Sequence, residues 1–512
     1  YLTDDRFSRD DLLPALRVNG AQQLLKQALR ERPALAEFAA ATHEAVIARF
    51  CRQDRRLIKR NRDRIRHRLL DRMPSLQNVS QSSEAGILSG ELNRKRGHMP
   101  IRRLLAQAGG VVQRIKPCFM MGPLSVAQFI EPGALDFDVV VFDEASQVRP
   151  EDALGALARA DRMVVVGDTH QLPPTTFFDR VVSDDDQDAD DDLPGAGAAQ
   201  MESLLGACKG RLHERLLQWH YRSRHDSLIA VSNQESYDNR LLVFPAARED
   251  DDFLGVHFVH LPETVYDRGR SRTNRDEARA VARAVAAQLR QTPGKSLGVA
   301  ALSAGQQRVI EEELEHLRLQ DPDLVQLLGG EDNPRQEPVF IKNLENIQGD
   351  ERDVIFISIG YGFDKDGKLS HNFGPINHEG GERRLNVLIS RAREHCRVFA
   401  NFRASDLDVD PDDGSAARGL RYLKVYLDYA EHGALRSASA NANAASPFDE
   451  VVCDFLTDHG HTVDRQVGCA GFRLDLGVRH PERPGVYALG IECDGAAYRR
   501  ARRQVHWRAY TT

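Results

Sequence analysis

Six short apolar runs most constrain what this chain of 512 residues can fold into. They are VVVF (139–142), MVVVGD (163–168), VHFVHL (256–261), LGVAAL (297–302), DVIFISIG (353–360) and CRVFANF (396–402). Their cores are continuous and rich in β-branched side chains, and helical segments separate them. A strand with no polar face must be covered on both sides, and returning through a helix between such strands makes the sheet parallel. An α/β chain is therefore expected, with two such layers rather than one.

The flanking regions read differently. Residues 1–109 are rich in Leu, Ala, Arg and Glu and read as helical. Within them RFCRQDRRLIKRNRDRIRHRLLDRM (49–73) is dense in arginine, which suits the solvated face of a long helix or, alternatively, a nucleic-acid-facing one. SDDDQDADDDLPGAGA (183–198) reads as a solvated loop, and RSASANANAASP (436–447) as a small-residue linker before a last domain.

A length of 512 residues calls for several domains, and 41% apolar with 28% charged residues is a globular composition. No apolar run approaches the roughly 20 residues that span a bilayer, so no membrane partner is expected. The seven cysteines are scattered without metal-ligand spacing, as reduced thiols of a cytoplasmic protein would be. The first residue is not Met and no signal-peptide pattern follows it, which suggests a fragment or a processed chain. The net charge of −7 gives no global argument for a polyanionic partner.

Chemistry gathers at the strand ends. VVVF runs into Asp143 and Glu144, a placement that lets one carboxylate hold a hydrated Mg²⁺ and the other polarise a water. The next strand ends in VVVGDTHQLPP, where Asp168 can join a metal network and Gln171 can bond a phosphate oxygen or the attacking water. LLQWHYRSRHDSL offers Arg222 and Arg224. LENIQGDERDVIFIS places Gln348, Gly349 and Glu351 just before a strand, and GGERRLNVLISRAREH supplies Arg384, Arg391 and Arg393 ahead of another.

In this order, DEAS, GDTHQLPP, HYRSRH, NIQGDERD and RLNVLISRAR resemble the motifs of superfamily 1 helicases, in the DEAx-box branch of DNA and RNA helicases with its large bacterial members. PCFMMGPLSVAQFI (117–130) is similar to a motif of the bacterial subgroup. The resemblance implies two RecA-like parallel-sheet domains with ATP and Mg²⁺ between them. Asp143 and Glu144 would be the Mg²⁺ and water-activating pair, with Asp168 in the same network. Gln171 would sense the γ-phosphate, Arg222 and Arg391 would reach the phosphates across the cleft, Gly349 and Glu351 would couple the second domain to nucleotide and strand, and Arg384 would be a further cofactor-binding position. Ser125 is the matching strand-contact position, in a motif that reads GPLS here where SPLS is the family form.

Such a site needs G-x-x-x-x-G-K-[ST] ahead of the acidic pair. Residues 1–138 hold none: AQAGGVVQRIK (106–116) lacks the lysine step and SGELNRKRGH (89–98) lacks the spacing. GFDKDGKL (362–369) ends in Leu369 and lies in the wrong half, so it reads as a surface loop. The first RecA-like domain is thus expected to be incomplete. Residues 1–109 would be its helical insertion, 110–208 its remainder, 209–432 the second RecA-like domain, and 433–447 a linker.

Residues 448–512 carry Asp475 in FRLDLGV and Glu492 with Asp494 in GIECDG, on strands expected to be antiparallel neighbours. Three carboxylates there would suit a divalent cation acting on phosphodiesters, with Glu450 on the preceding helix as a fourth ligand. This stretch resembles the type II restriction-endonuclease-like fold, in the group similar to the very-short-patch repair endonuclease. Relatives have a His after the tyrosine. Here Arg499 follows Tyr498, and His506 has no spacing to replace it, which points to a truncation or frameshift.

The leading expectation is the C-terminal portion of an ATP-dependent DNA helicase or translocase fused to a Mg²⁺-dependent nuclease, in DNA repair, recombination or defence. Its partner would be DNA, single-stranded, with RNA as the alternative. The rivals are a non-catalytic nucleic-acid- or partner-binding pseudo-helicase, and half of a split helicase whose phosphate loop lies on a separate chain or an upstream segment.

Overall fold

A computed structural model describes residues 12–37, 39–174, 203–248, 253–328, 337–409, 418–433, 447–470 and 472–493. The acidic run 183–198, all but the last residue of the stretch 436–447, and Asp494, Tyr498, Arg499 and His506 lie outside the described residues. The chain divides into two compact units, one formed by 1–138 with 155–160 and the other by 139–154 with 161–512.

The first unit is helical. Its helices include Leu12–Glu31, Ala40–Asp71, Glu84–Leu92 and Ile101–Ile115. The last is strongly two-faced and packs Ala108 and Val111 against Leu88. Ala108 leaves helical geometry at φ −139°, ψ 19°, which breaks the ladder one turn on. Glu84 satisfies the freed group: its Oε2 accepts the Val111 N–H at 2.8 Å. Gly110 is needed beside it, since a Cβ there would stand 2.9 Å from the same oxygen. The glycine pair of AQAGGVVQRIK is thus a helix kink. Helix continues to Ile115 and again over Pro123–Phe129, past the change of texture near residue 110, and the first strand begins at Val140.

In the second unit β1 (Val140–Phe142) pairs in parallel with β2 (Met163–Val165). After the short parallel pair β3 (Trp219–His220) and β4 (Leu242–Val243) comes the main sheet. It holds β5 (Gly255–His260), β6 (Leu297–Ala301), β7 (Phe340–Asn343), β8 (Arg352–Ser358) and β9 (Ala392–Ala400) in the order β5-β9-β8-β6-β7, every pairing parallel. The runs fill both faces because strand side chains alternate. Ile355, Ile357, Val398 and Ala300 enter one core with the helices Gly381–Ile389 and Arg418–His432. Val354, Phe356, Phe399 and Val299 enter the other with Arg275–Gln291 and Ala304–Gln320. Asn274 and Ser303 cap these two helices, accepting from Glu277 N at 3.0 Å and Gln306 N at 3.1 Å.

Last come the helix Pro447–Asp458 and the antiparallel sheet of β10 (Val463–Ala470), β11 (Phe472–Arg479) and β12 (Tyr487–Ile491). GFDKDGKL is a hairpin turn, bridged Phe363 to Leu369, whose Asp364 carboxylate accepts the N–H of Asp366 and Lys368 at 2.9 Å each.

Candidate functional site

The acidic pair sits where β1 ends. Asp143 and Glu144 are both exposed, and Glu144 is left-handed at φ 51°. For a side chain with a Cβ that conformation costs about 1 kcal/mol, so the surroundings must enforce it. They do so on both sides: Glu144 N donates to Asp143 Oδ1 at 3.0 Å, and Ala145 N to Val166 O at 2.9 Å. Gly167 completes the junction, because a Cβ there would lie 3.1 Å from the N atoms of Ala145 and Ser146.

The segment after β2 is tied down through Asp168. Its Oδ1 accepts His170 N at 2.9 Å, and its Oδ2 accepts Gln171 Nε2 at 3.1 Å and the Tyr237 hydroxyl at 2.6 Å. Burial and the adjacent Asp168 charge push the Tyr237 phenol far above its usual range, so it remains a donor. Asn386 closes the network, donating to His170 O at 2.9 Å and Tyr237 Oη at 3.1 Å. Gln171 is therefore braced by groups from the helices Ser227–Tyr237 and Gly381–Ile389.

The arginines come next. Arg391 is buried, donating to Val387 O at 2.7 Å, Ser390 Oγ at 3.0 Å and Asp350 O at 3.4 Å. Burial and then the Arg222 charge lower its pKa to about 10, while the charge of Glu144 acts the other way. Glu144, Arg222 and Arg391 thus share one electrostatic neighbourhood. Glu351 binds two arginines at once, Arg222 at 2.8 Å and Arg393 at 2.9 Å. Arg384 pairs with Glu345 at 2.6 Å, and Gly349 turns at φ 88° with open space where a Cβ would stand. Ser125 lies on the helix Pro123–Phe129, in the helical unit.

The donor set around β1 fits a hydrated hard cation with a nucleotide: two exposed carboxylates stand at the strand end, and the buried hydroxyl of Ser146 has no bonding partner among the described residues. Tyr237, Asn386 and Ser146 went unremarked in the sequence, although Ser146 stands within DEAS itself.

A second cluster lies in the C-terminal domain. Ligand atoms of Asp449, Asp475 and Cys493 fall within 4.8 Å of one another. Asp475 accepts Cys493 N at 2.7 Å and Gln466 Nε2 at 3.3 Å, and burial, then Asp449, raises its pKa. A helix rotates about 100° per residue, so Asp449 turns inward while Glu450 is exposed; Asp449 takes the place expected of Glu450. Glu492 is also exposed. Two carboxylates suit Mg²⁺. The Cys493 thiol, pushed up to about 11 by burial and these acids, stays protonated and is a poor ligand for so hard an ion.

Comparison with known proteins follows this division. AAA domain family models match residues 125–178 and 200–403, and the REase_MTES_1575 family model matches 448–510. An uncharacterized ATP-dependent helicase of Mycoplasma pneumoniae, the MG140 homolog, is 38% identical over 301 residues, covering 58% of this chain and 25% of the relative. The DNA-binding protein SMUBP-2 of Mesocricetus auratus is 26% identical over 315 residues, covering 59% of this chain and 27% of the relative. The DNA replication ATP-dependent helicase/nuclease DNA2 of Saccharomyces cerevisiae is 54% identical over 106 residues, covering 21% of this chain and 6% of the relative. The chain spans about a quarter of the length of the MG140-type and SMUBP-2 relatives it matches.

Proposed function

We propose that this chain, matched by AAA-domain and REase_MTES_1575 family models, is the C-terminal portion of an ATP-driven superfamily 1 motor on DNA, coupled to a Mg²⁺-dependent nuclease, in repair, recombination or defence. The observation carrying this reading is the brace that joins the segment after β2 to two later helices: Asp168 accepts Gln171 Nε2 at 3.1 Å and the Tyr237 hydroxyl at 2.6 Å, and Asn386 donates to His170 O at 2.9 Å. Asp143 and Glu144 would hold the hydrated cation and orient the attacking water, and Gln171, braced through Asp168, would read the terminal phosphate. Arg222 and Arg391 stabilise the charge on the transferring phosphoryl group. Bound ATP would supply the phosphoryl group and Mg²⁺ its charge neutralisation.

The phosphate loop comes from outside the given sequence, from an upstream segment or a separate chain. The packing of β1 and β2 supports this. Parallel strands are normally covered on both faces, yet Val141 is 60% and Val164 48% exposed. A strand and helix bearing G-x-x-x-x-G-K-[ST] would cover them.

The test is a DNA-stimulated ATPase assay. The chain alone gives no turnover above its Asp143→Ala variant; adding a phosphate-loop-bearing polypeptide restores turnover, and Arg391→Ala lowers it by at least about 100-fold. Turnover by the chain alone that vanishes in Asp143→Ala overturns the external-loop assignment. For the nuclease centre, Mg²⁺ raises the melting temperature of the chain through Asp449 and Asp475, and Asp475→Asn removes that rise. An equal Mg²⁺ response in both proteins removes Asp475 from the site.

A further inference from the structure

The helix Ala40–Asp71 has a property that the motor and nuclease assignments leave unused. It runs 32 residues, about 48 Å at the helical rise. Ten Lys and Arg stand on it against four Asp and Glu, although the whole chain carries a net −7. Arg52, Arg55, Lys59, Arg62 and Arg66 recur at alternating steps of three and four residues, so they form one stripe about 21 Å long. All five are exposed, and none has a carboxylate partner in an ion pair among the described residues. Arg55, Lys59, Arg62 and Arg66 also line a shallow depression together with Ile58 and Asp63. Of the half-covered positions Ile47, Cys51, Asp54 and Asn61, Cys51 flanks the stripe and Asp54 and Asn61 lie away from it.

A solvated helix face ordinarily interleaves both signs, so that neighbours neutralise each other. Along this stripe a single acid, Asp63, stands among the five cations. Like charges three and four residues apart destabilise a helix by a few tenths of a kcal/mol per pair, and a regular polyanion laid along the stripe would reverse that sign. We propose that the Arg52–Arg66 face of this helix is a nucleic-acid-binding surface that grips the phosphate backbone independently of base sequence. The inference rests on the motor reading, to which it adds a second point of attachment.

The chemistry favours nucleic acid over an anionic bilayer. Nine of the ten cations are arginines, whose planar forks match phosphodiester oxygens in pairs. A duplex offers about one phosphate charge per 1.7 Å of axis, a line of charge as regular as the stripe.

Fluorescence anisotropy of the chain with a labelled duplex or single strand of about 20 nucleotides, titrated across salt concentration, reads the contact directly. In R55Q/K59Q/R62Q/R66Q the slope of log K against log salt falls by about 3 to 4 for duplex and about 3 for single strand, while R55K/R62K/R66K keeps it. Glutamine preserves helix propensity at exposed positions, and circular dichroism verifies that the helix persists. A slope unchanged in the glutamine variant overturns the helix inference alone. Absence of nucleic-acid binding by the unaltered chain overturns the motor reading with it. Tighter binding to phosphatidylserine vesicles than to duplex assigns the surface to a bilayer and overturns the inference.

Discussion

At the residue scale, Glu277 shows how a polar group is made to live in a core. It is fully buried at the start of the helix Arg275–Gln291, where its Oε1 accepts the Ser358 hydroxyl at 2.6 Å and the Gly360 N–H at 2.8 Å. Burial outweighs both bonds and lifts its pKa from the ordinary 4.5 to about 8. The folded state therefore holds a proton that the unfolded state releases. Between pH 4.5 and about 8 stability falls as pH rises, and below 4.5 the contribution is fully present. Glu277→Gln should flatten this dependence and raise stability near pH 8 by a few kcal/mol, as urea denaturation at several pH values would read; a wild-type stability flat across that interval refutes the assignment. Glu277 was not legible in the sequence, because Ser358 and Gly360 stand 81 and 83 positions away. Asp143, Glu144, Gln171 and Arg391 were conspicuous for the opposite reason: local motif order marks them. The brace holding Gln171 was hidden, since Asn386 reaches His170 across 216 positions.

At the element scale, packing distances decide which glycines matter. The helices Gly381–Ile389 and Arg418–His432 approach the same carbonyl: a Cβ at Gly381 would stand 1.9 Å from Ile376 O, and one at Gly419 2.1 Å. Gly381→Ala and Gly419→Ala should each cost about 1–3 kcal/mol by forcing these elements apart. Gly20, inside the exposed helix Leu12–Glu31, has nothing within 4 Å of its would-be Cβ, and Gly20→Ala should stabilise that helix by about 0.5–1 kcal/mol. Thermal melts of the three variants give the ordering, and a neutral Gly419→Ala would show that the approach yields without cost. The main sheet was readable because its continuous apolar runs suit strands covered on both faces. The kinked helix Ile101–Ile115 was less readable: its GGVV segment looks like a breaker and a strand, and the group freed at its kink is satisfied by Glu84, 27 positions from Val111.

At the scale of the whole molecule, net charge concealed more than it revealed. A total of −7 is compatible with a helix whose cations outnumber its acids ten to four, so the averaged quantity excludes nothing about a local partner. The exposed β1–β2 pair has a different reach. Two short strands with exposed valines, in a sheet of two members among the described residues, offer edges to which a further strand could pair. Any chain supplying the missing cover competes with every other strand that can dock there, including those of identical copies. Self-association is then second order in concentration, whereas capture by a complement held in excess is not. Were the cover carried on a separate chain, the yield of working assemblies would depend on the ratio at which the two chains are made.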